Sequence, residues 1–185
     1  MPLNPAPPSR LRRTSTAVLL ATALAVPAEG LRQYAYYDPP GILTVCYGST
    51  TNVIKGVRYS LEECKARLSA DMIAAVNTVE RCHPGLPVQV LSAFADAVYN
   101  IGPKIACADA ASTASRLLRA GLLEEACAQL PRWNKASVAG VMVALPGLTT
   151  RRNNEMALCL SGPAPAPVAL TSKGVLWLPS FYRYL

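Results

Sequence analysis

Residues 29–48 read EGLRQYAYYDPPGILTVCYG and combine turn-forming residues with short apolar segments. The triplet Pro39-Pro40-Gly41 consists of turn formers, and Leu43-Thr44-Val45 after it is typical of a strand. Elsewhere in the stretch, short apolar pieces alternate with tyrosine and glycine, which also favours strands and turns. We therefore expect a helix that ends near Glu29, followed by a small β-hairpin region.

The same stretch carries two carboxylates and a hydroxyl that suit one kind of chemistry. Because the chain folds back at the turn, we expect Asp38 and Thr44 to face Glu29 across a cleft. Glycoside hydrolysis uses such a pair: one carboxyl gives a proton to the leaving oxygen, and the other stabilises an oxocarbenium-like centre or activates water. A hydroxyl such as that of Thr44 can hold the water. Spacing alone, however, favours the ordinary alternative of surface acids beside a turn.

After residue 59 the pattern becomes helical. Ser60 and Glu63 have the spacing of a capping box, which marks the start of a helix. Apolar residues then recur every three or four positions and so share one helical face; these are Leu61, Cys64, Leu68, Met72, Val76 and Val79. We expect this helix to belong to the core and to end before His83.

Further helices are predicted downstream. The apolar residues of the next one are Val90, Leu91, Phe94, Val98 and Tyr99, and it should end near Gly102. Shorter helices are predicted over residues 108–120, 123–129 and 153–160. One small strand region followed by a run of helices predicts an α+β fold with a mainly helical lobe.

The two ends of the chain differ from its middle. Three arginines, Arg10, Arg12 and Arg13, precede an uncharged run that spans fifteen residues even when it is extended to 14–28. A membrane-spanning helix needs about twenty apolar residues, so this segment is typical of a cleavable secretory signal. The alternation of proline and alanine after residue 162 predicts a stiff linker, and residues 163–185 form a linker and tail of unknown role.

Charge and cysteine content narrow the class of protein. The formal net charge of +7 favours an anionic partner, such as nucleic acid, anionic lipid or a carboxylate-rich cell wall. We find no RNA-stacking signature, helix-turn-helix cue or zinc-finger pattern, and therefore expect no nucleic-acid partner. The six cysteines are isolated from one another and His83 is the only histidine, which argues against a metal site.

An ordered set of residues resembles the phage lysozyme family, glycoside hydrolase family 24. Its first part is Glu29-Gly30-Leu31-Arg32, Tyr36-Tyr37-Asp38, Gly41, Leu43-Thr44-Val45 and Gly48. Its later part is Phe94, Val98, Tyr99-Asn100-Ile101-Gly102, Cys127, Arg132-Trp133, Gly147-Leu148, Arg151-Arg152 and Glu155. The resemblance extends from residue 29 to residue 162, and the family's catalytic spacing, E-x8-D-x5-T, is matched without a gap.

The resemblance implies a lysozyme-like α+β fold with an active-site cleft between the hairpin region and the helical lobe. It implies Glu29 as general acid, Asp38 as second carboxylate and Thr44 as the residue that positions water. The implied reaction is hydrolysis of the β-1,4 bond between N-acetylmuramic acid and N-acetylglucosamine in peptidoglycan, usually with inversion and without a cofactor. Residues 136–146 are longer and more apolar than the family pattern, and the tail after residue 162 has no counterpart.

Two other functions stay open on the residues alone. A lytic transglycosylase needs a single catalytic glutamate and yields an anhydro sugar, whereas Asp38 and Thr44 at the family spacing favour a hydrolase. A disulfide-rich secreted binding module would need no catalytic residue at all. For Asn100 the spacing favours a helix-ending role over a role in the cleft, and Arg151 and Arg152 are expected to be solvated or ion-paired.

The chain as a whole resembles the signal-arrest-release type of endolysin. Removal of residues 1–28 as a signal would leave Glu29 without the helix that should hold it, so we expect the segment to be kept. Residues 1–28 would then anchor the inactive enzyme in the host inner membrane, through residues 14–28. After release the segment would form the helix that leads into Glu29, and a monomeric catalytic domain of residues 29–162 would act in the periplasm.

The even number of cysteines suggests up to three disulfides in an exported chain. Six cysteines allow fifteen connectivities. We prefer Cys46–Cys64, Cys82–Cys107 and Cys127–Cys159, because each of these pairs joins neighbouring elements.

Overall fold

The computed structural model describes residues 10–38, 41–138 and 140–162. The elements in chain order are helix α1 (Arg10–Glu29), strands β1 (Arg32–Tyr37) and β2 (Leu43–Cys46), helices α2 (Leu61–Cys82), α3 (Val88–Ile101), α4 (Lys104–Cys107), α5 (Thr113–Arg119) and α6 (Leu123–Cys127), a 3₁₀ helix (Leu130–Trp133), strands β3 (Lys135–Val138) and β4 (Val141–Ala144), and helix α7 (Pro146–Leu160). The linker and tail predicted for residues 163–185 lie outside the described residues.

Helices α2 and α3 form the centre of the helical lobe, as predicted. The Ser60 hydroxyl accepts a hydrogen bond from the Glu63 amide at 3.1 Å, and the Glu63 carboxylate accepts one from the Ser60 amide at 2.6 Å. This confirms the capping box. Helix α3 ends where Gly102 takes a positive φ of 83°, a conformation that glycine adopts without steric cost. The apolar faces of the two helices share one core, which includes Met72 and Phe94.

Helix α1 packs against α2, α3 and α7. Ala17, Ala21 and Ala25 are fully buried and lie four residues apart, so they form one stripe along the helix. Small side chains at this spacing let the α1 backbone approach its neighbours closely. Arg13 forms an ion pair with the buried Glu80 of α2. The structure thus confirms the expected helix that leads into Glu29 and packs on the domain.

No helix within the described ranges combines the length and the hydropathy that crossing a membrane would require.

Strands β1 and β2 form the predicted hairpin. They pair antiparallel, with Tyr37 opposite Leu43 and Tyr36 opposite Thr44. The amide of Asp38 donates to the carbonyl of Ile42 at 3.0 Å and extends the pairing toward the turn. This small sheet and the helical lobe together confirm the α+β fold.

Three disulfides join consecutive cysteines along the chain, which confirms the preferred pairing. Cys46–Cys64 ties β2 to α2, Cys82–Cys107 ties α2 to α4, and Cys127–Cys159 ties α6 to α7.

The structure corrects two of the predicted elements and adds a hairpin. The helix expected over residues 108–120 is shorter: it is α5, capped by the buried Ser112, whose hydroxyl accepts from the Ser115 amide at 3.2 Å. Helix α7 begins at Pro146 rather than at residue 153, because proline suits the first turn of a helix. Strands β3 and β4 pair antiparallel from Lys135 opposite Ala144 to Val138 opposite Val141, and this hairpin was not predicted.

Candidate active site

Glu29 is the last residue of α1. The helix stops there because Gly30 adopts a positive φ of 69°, which turns the chain toward β1. The Glu29 side chain is 22% exposed, so it is partly buried and still open to solvent. The end of the helix therefore fixes the backbone of the candidate acid and leaves its carboxyl accessible.

Arg151 of α7 holds one oxygen of the Glu29 carboxylate. Its Nη1 donates to Glu29 Oε1 at 2.5 Å. Its Nε and Nη2 donate to both oxygens of the fully buried Asp96, at 3.0 Å and 2.7 Å. Burial disfavours the charged guanidinium, but its hydrogen bonds with Asp96 and Glu29 outweigh burial and raise the pKa of Arg151. Arg151 is thus a fixed cation that links α1, α3 and α7.

A second buried pair lies beside this cation. Arg152 donates to Asn100 Oδ1 at 3.1 Å and to the fully buried Glu155. Burial raises the pKa of Glu155 to about 10, and its hydrogen bond with the Asp96 carboxyl adds to the rise. Three carboxyls and two guanidiniums now lie together; they belong to Glu29, Asp96, Glu155, Arg151 and Arg152. With a proton kept on Glu155, this cluster has no net charge. The prediction of solvated or ion-paired arginines is confirmed for Arg151, which pairs with Glu29 and Asp96. Arg152 is instead buried and hydrogen-bonded to Asn100 and the protonated Glu155.

The end of the β1–β2 hairpin touches Glu29 at Gly48. Gly48 has a positive φ of 97°, and a Cβ atom placed on it would lie 3.3 Å from Glu29 Oε2 and 3.4 Å from the Tyr99 hydroxyl. That hydroxyl donates to the carbonyl of Tyr47. Burial, assisted by the negative charge of Glu29, raises the pKa of Tyr99, so the phenol keeps its proton. Tyr99 therefore anchors the hairpin to α3 beside the carboxylate.

Asp38 and Thr44 lie together in the hairpin. Asp38 Oδ1 accepts from the Ile42 amide at 2.7 Å, and Oδ2 lies 3.4 Å from the Thr44 hydroxyl oxygen. Thr44 is buried, and its hydroxyl also lies 3.0 Å from the Ile42 carbonyl oxygen. A hydroxyl has one proton, so Thr44 donates to one of these oxygens at a time. The structure brings two of the three predicted site residues, Asp38 and Thr44, together, and Glu29 lies beside Gly48, which follows β2.

Glu29 lines a cleft of about 780 Å³ between the end of α1 and the start of α7. The other residues that line this cleft include Leu24, Pro27, Asn100, Leu145, Leu148, Arg151 and Asn154. Gly48 and Tyr99 also line a second depression of about 280 Å³, which extends along α2 as far as Asp71. Of the three predicted site residues, Glu29 lines the larger depression, whereas the linings described for the two depressions include neither Asp38 nor Thr44.

Sequence reasoning did not identify Asp96 or the contact between Arg151 and Glu29. Asp96 lies between the core residues Phe94 and Val98, and a charged residue on the buried face of an apolar helix is the signal that was available. Asn100 lines the cleft as well as accepting from Arg152, so the preference for a purely helix-ending role was too narrow.

Comparison with known proteins gives consistent matches. The family described as phage lysozyme matches residues 27–155. A SAR-endolysin of Bacteriophage PS119 is 36% identical, and the alignment covers 72% of this chain and 77% of that protein. A SAR-endolysin of Pseudomonas phage phiKMV is 35% identical, with 76% and 88% covered. The muramidase domain of SpmX from Asticaccaulis excentricus superimposes with a TM-score of 0.66 at 29% identity, over 83% of this chain and 97% of that domain. This chain therefore belongs to the phage lysozyme family and is a glycoside hydrolase.

Proposed function

We propose that this lysozyme is an endolysin that hydrolyses the β-1,4 bond between N-acetylmuramic acid and N-acetylglucosamine in peptidoglycan, with Glu29 as general acid. One observation carries the assignment: the Glu29 carboxyl is fixed at one oxygen by Arg151 and lies in the wall of an open cleft. A proton donor needs a fixed position and access to the substrate.

The two oxygens of Glu29 have different surroundings. Oε1 accepts from Arg151, whereas Oε2 lies next to Gly48, which has no side chain to cover it. We assign Oε2 as the oxygen that gives its proton to the leaving glycosidic oxygen. The bond between the anomeric carbon and that oxygen then breaks, and positive charge develops on the sugar.

Asp38 is the second carboxylate in this proposal, and Thr44 positions the water that attacks the anomeric carbon. Their support is the contact between the two side chains and the amide of Ile42, which fixes Asp38 Oδ1. The water loses its proton to Asp38, and the product is a reducing sugar. No cofactor takes part.

The substrate surface is anionic, because peptidoglycan carries carboxylates on its peptides. The net charge of +7 raises the local concentration of such a substrate around the enzyme. The enzyme acts as a monomer on glycan strands and binds no nucleic acid in this proposal.

The proposed life cycle begins at the membrane. Residues 1–28 anchor the inactive chain in the host inner membrane, and residues 29–162 are the catalytic domain. After release the enzyme acts in the periplasm. Support comes from the position of Glu29: its contact with Arg151 requires α1 to lie against the helical lobe, which cannot happen while α1 is in the bilayer. The names of the SAR-endolysin relatives agree with this order of events.

The catalytic assignment is tested by Glu29→Gln on purified peptidoglycan sacculi. Loss of the proton donor should lower the rate by more than the typical range of about 10² to 10⁴-fold for general acid catalysis. Glu124→Gln, on the exposed start of α6, is the matched control and should keep the wild-type rate. Normal rates in a folded Glu29→Gln variant would show that another group is the acid. Anhydromuramic ends in the product would identify a lytic transglycosylase instead.

The anchoring is tested by fractionating cells before and after an uncoupler and by sequencing the N-terminus of the soluble enzyme. We expect membrane-bound enzyme before the uncoupler and soluble enzyme that keeps residues 10–28 after it. A soluble form that starts downstream of residue 20 before any uncoupler would indicate a cleaved signal.

A further inference from the structure

The β3–β4 hairpin exposes an unusual amount of apolar surface. Val138, Val141, Met142 and Val143 are 49%, 64%, 60% and 42% exposed. Successive side chains of a strand point to opposite faces, so Met142 lies on one face of the hairpin and Val141 and Val143 on the other. Neither face is therefore packed on the core.

The charge pattern along this hairpin is uneven. Residues 136–150 contain no charged side chain, although the whole chain carries a net charge of +7. Two exposed basic residues, Arg132 and Lys135, lie at the base of the hairpin. The end of the hairpin is therefore apolar, and the cations Arg132 and Lys135 lie at its base.

The four exposed side chains are separate from the catalytic site. Among the residues that the structure describes, those lining the cleft and the second depression do not include any of the four. The cleft wall begins at Leu145, which follows β4. Residues 136–146, which contain most of the hairpin, are also longer and more apolar than the family pattern. The reaction of the family therefore does not explain why this surface is apolar.

We propose that the β3–β4 hairpin is a membrane-binding element whose apolar tip inserts into the surface of an anionic phospholipid bilayer. Lys135 and Arg132 then lie at the level of the phosphate headgroups. Binding of this kind combines burial of apolar side chains with attraction between cations and anionic lipid. The contact belongs to the folded lobe and is distinct from the anchor proposed for residues 1–28.

Two other binding partners, a second copy of the chain and a glycan strand, fit the hairpin less well. A second copy of the chain would pair through strands of only four residues, which offer a short pairing edge. A glycan strand presents hydroxyl and amide groups, whereas the tip of the hairpin presents aliphatic side chains.

The test is flotation of the full-length soluble enzyme with vesicles of phosphatidylethanolamine and phosphatidylglycerol, compared with vesicles of neutral phosphatidylcholine. Val141→Ser combined with Met142→Ser should lower the fraction bound to anionic vesicles by about fivefold or more. The matched control is Ile54→Ser with Leu122→Ser, which removes comparably exposed side chains elsewhere and should bind as the wild type does. Thermal unfolding checks that both variants fold.

Several results would overturn the proposal. These are absence of wild-type flotation, equal flotation with neutral vesicles, and unchanged flotation of the hairpin variant. Concentration-dependent self-association that the hairpin variant loses would assign the surface to a second copy. Hydrolysis of lipid-free sacculi is measured in parallel and should be equal in all three proteins. It tests the proposed activity separately, since it involves no membrane.

Discussion

At the scale of the residue, the carboxylate of Glu29 is bound at one oxygen and open at the other. The bound oxygen faces a cation that Asp96 holds in place, and the open one faces the backbone of Gly48. A Cβ atom at Gly48 would lie 3.3 Å from Glu29 Oε2 and would enter the space next to the acid.

Gly48→Ala should therefore lower activity by about tenfold or more, since a loss of roughly 1.4 kcal/mol in transition-state binding already has that effect. The measurement is the initial rate on sacculi together with the thermal midpoint. Gly56→Ala is the matched control, because Gly56 has a similar φ of 82° but nothing within 4 Å of its added Cβ. Both variants should lose about 1–2 kcal/mol of stability from the left-handed backbone. Only Gly48→Ala should lose activity, and equal activity losses in both variants would refute crowding as the cause.

At the scale of the element, α7 carries a titrating group into the core. The folded protein keeps the proton of Glu155 up to a pKa of about 10, whereas the unfolded chain releases it near 4.5. Between these values unfolding releases a proton, so the free energy of unfolding falls as pH rises, by up to about 1.4 kcal/mol per pH unit.

Glu155→Gln should flatten this dependence, because the amide resembles the protonated carboxyl at every pH. The measurement is the thermal midpoint of wild type and variant across neutral pH, with the exposed Glu125→Gln as control. The wild type and the control should lose stability toward alkaline pH more steeply than Glu155→Gln. Parallel curves for all three proteins would mean that Glu155 is ionised in the folded state.

In the proposed life cycle, helix α1 lies first in the bilayer and later against the helical lobe. Its buried alanines are weakly apolar, which suits release from the bilayer, and small, which suits close packing on the lobe. Ala21→Leu should make the segment more apolar and delay its release by the uncoupler. It should also overfill the packed stripe, which typically costs about 1–3 kcal/mol. Ala23→Leu lies on the exposed side of α1 and should delay release without lowering the thermal midpoint of the soluble enzyme. Equal stability of the two soluble variants would contradict tight packing at Ala21.

At the scale of the whole molecule, the elements that depend on residues close in sequence were predicted, whereas contacts between distant residues were not. The capping box at Ser60 and the pairing of β1 with β2 involve residues close in sequence, and both were found where they were expected. The contact between Arg151 and Glu29 joins residues 122 positions apart. No periodicity encodes such a contact, so it could not be predicted without the fold.

The β3–β4 hairpin was missed for a related reason. Strand β4, Val-Met-Val-Ala, is apolar on both faces and lacks the alternation that marks a half-buried strand, and the alternation in β3, Lys-Ala-Ser-Val, extends over only four residues. The start of α7 was missed because Pro146 and Gly147 are usually signs of a loop, whereas Pro146 here occupies the first turn of the helix.

The positions of Glu29, Asp38 and Thr44 were predicted from the family spacing, and their roles stay predictions that the substitutions test.

The order of the disulfides has a consequence for biosynthesis. Each cysteine pairs with the next one along the chain, across separations of 18, 25 and 32 residues, so no bridge encloses or crosses another. A chain that emerges from the translocation channel N-terminus first can close each bridge when its second cysteine appears, before a wrong partner is available. Oxidation in order of emergence then yields the native set without reshuffling. Active enzyme should accumulate equally in hosts with and without a disulfide isomerase, provided that the oxidase is present, and a yield that depends on the isomerase would show that non-consecutive pairs form first.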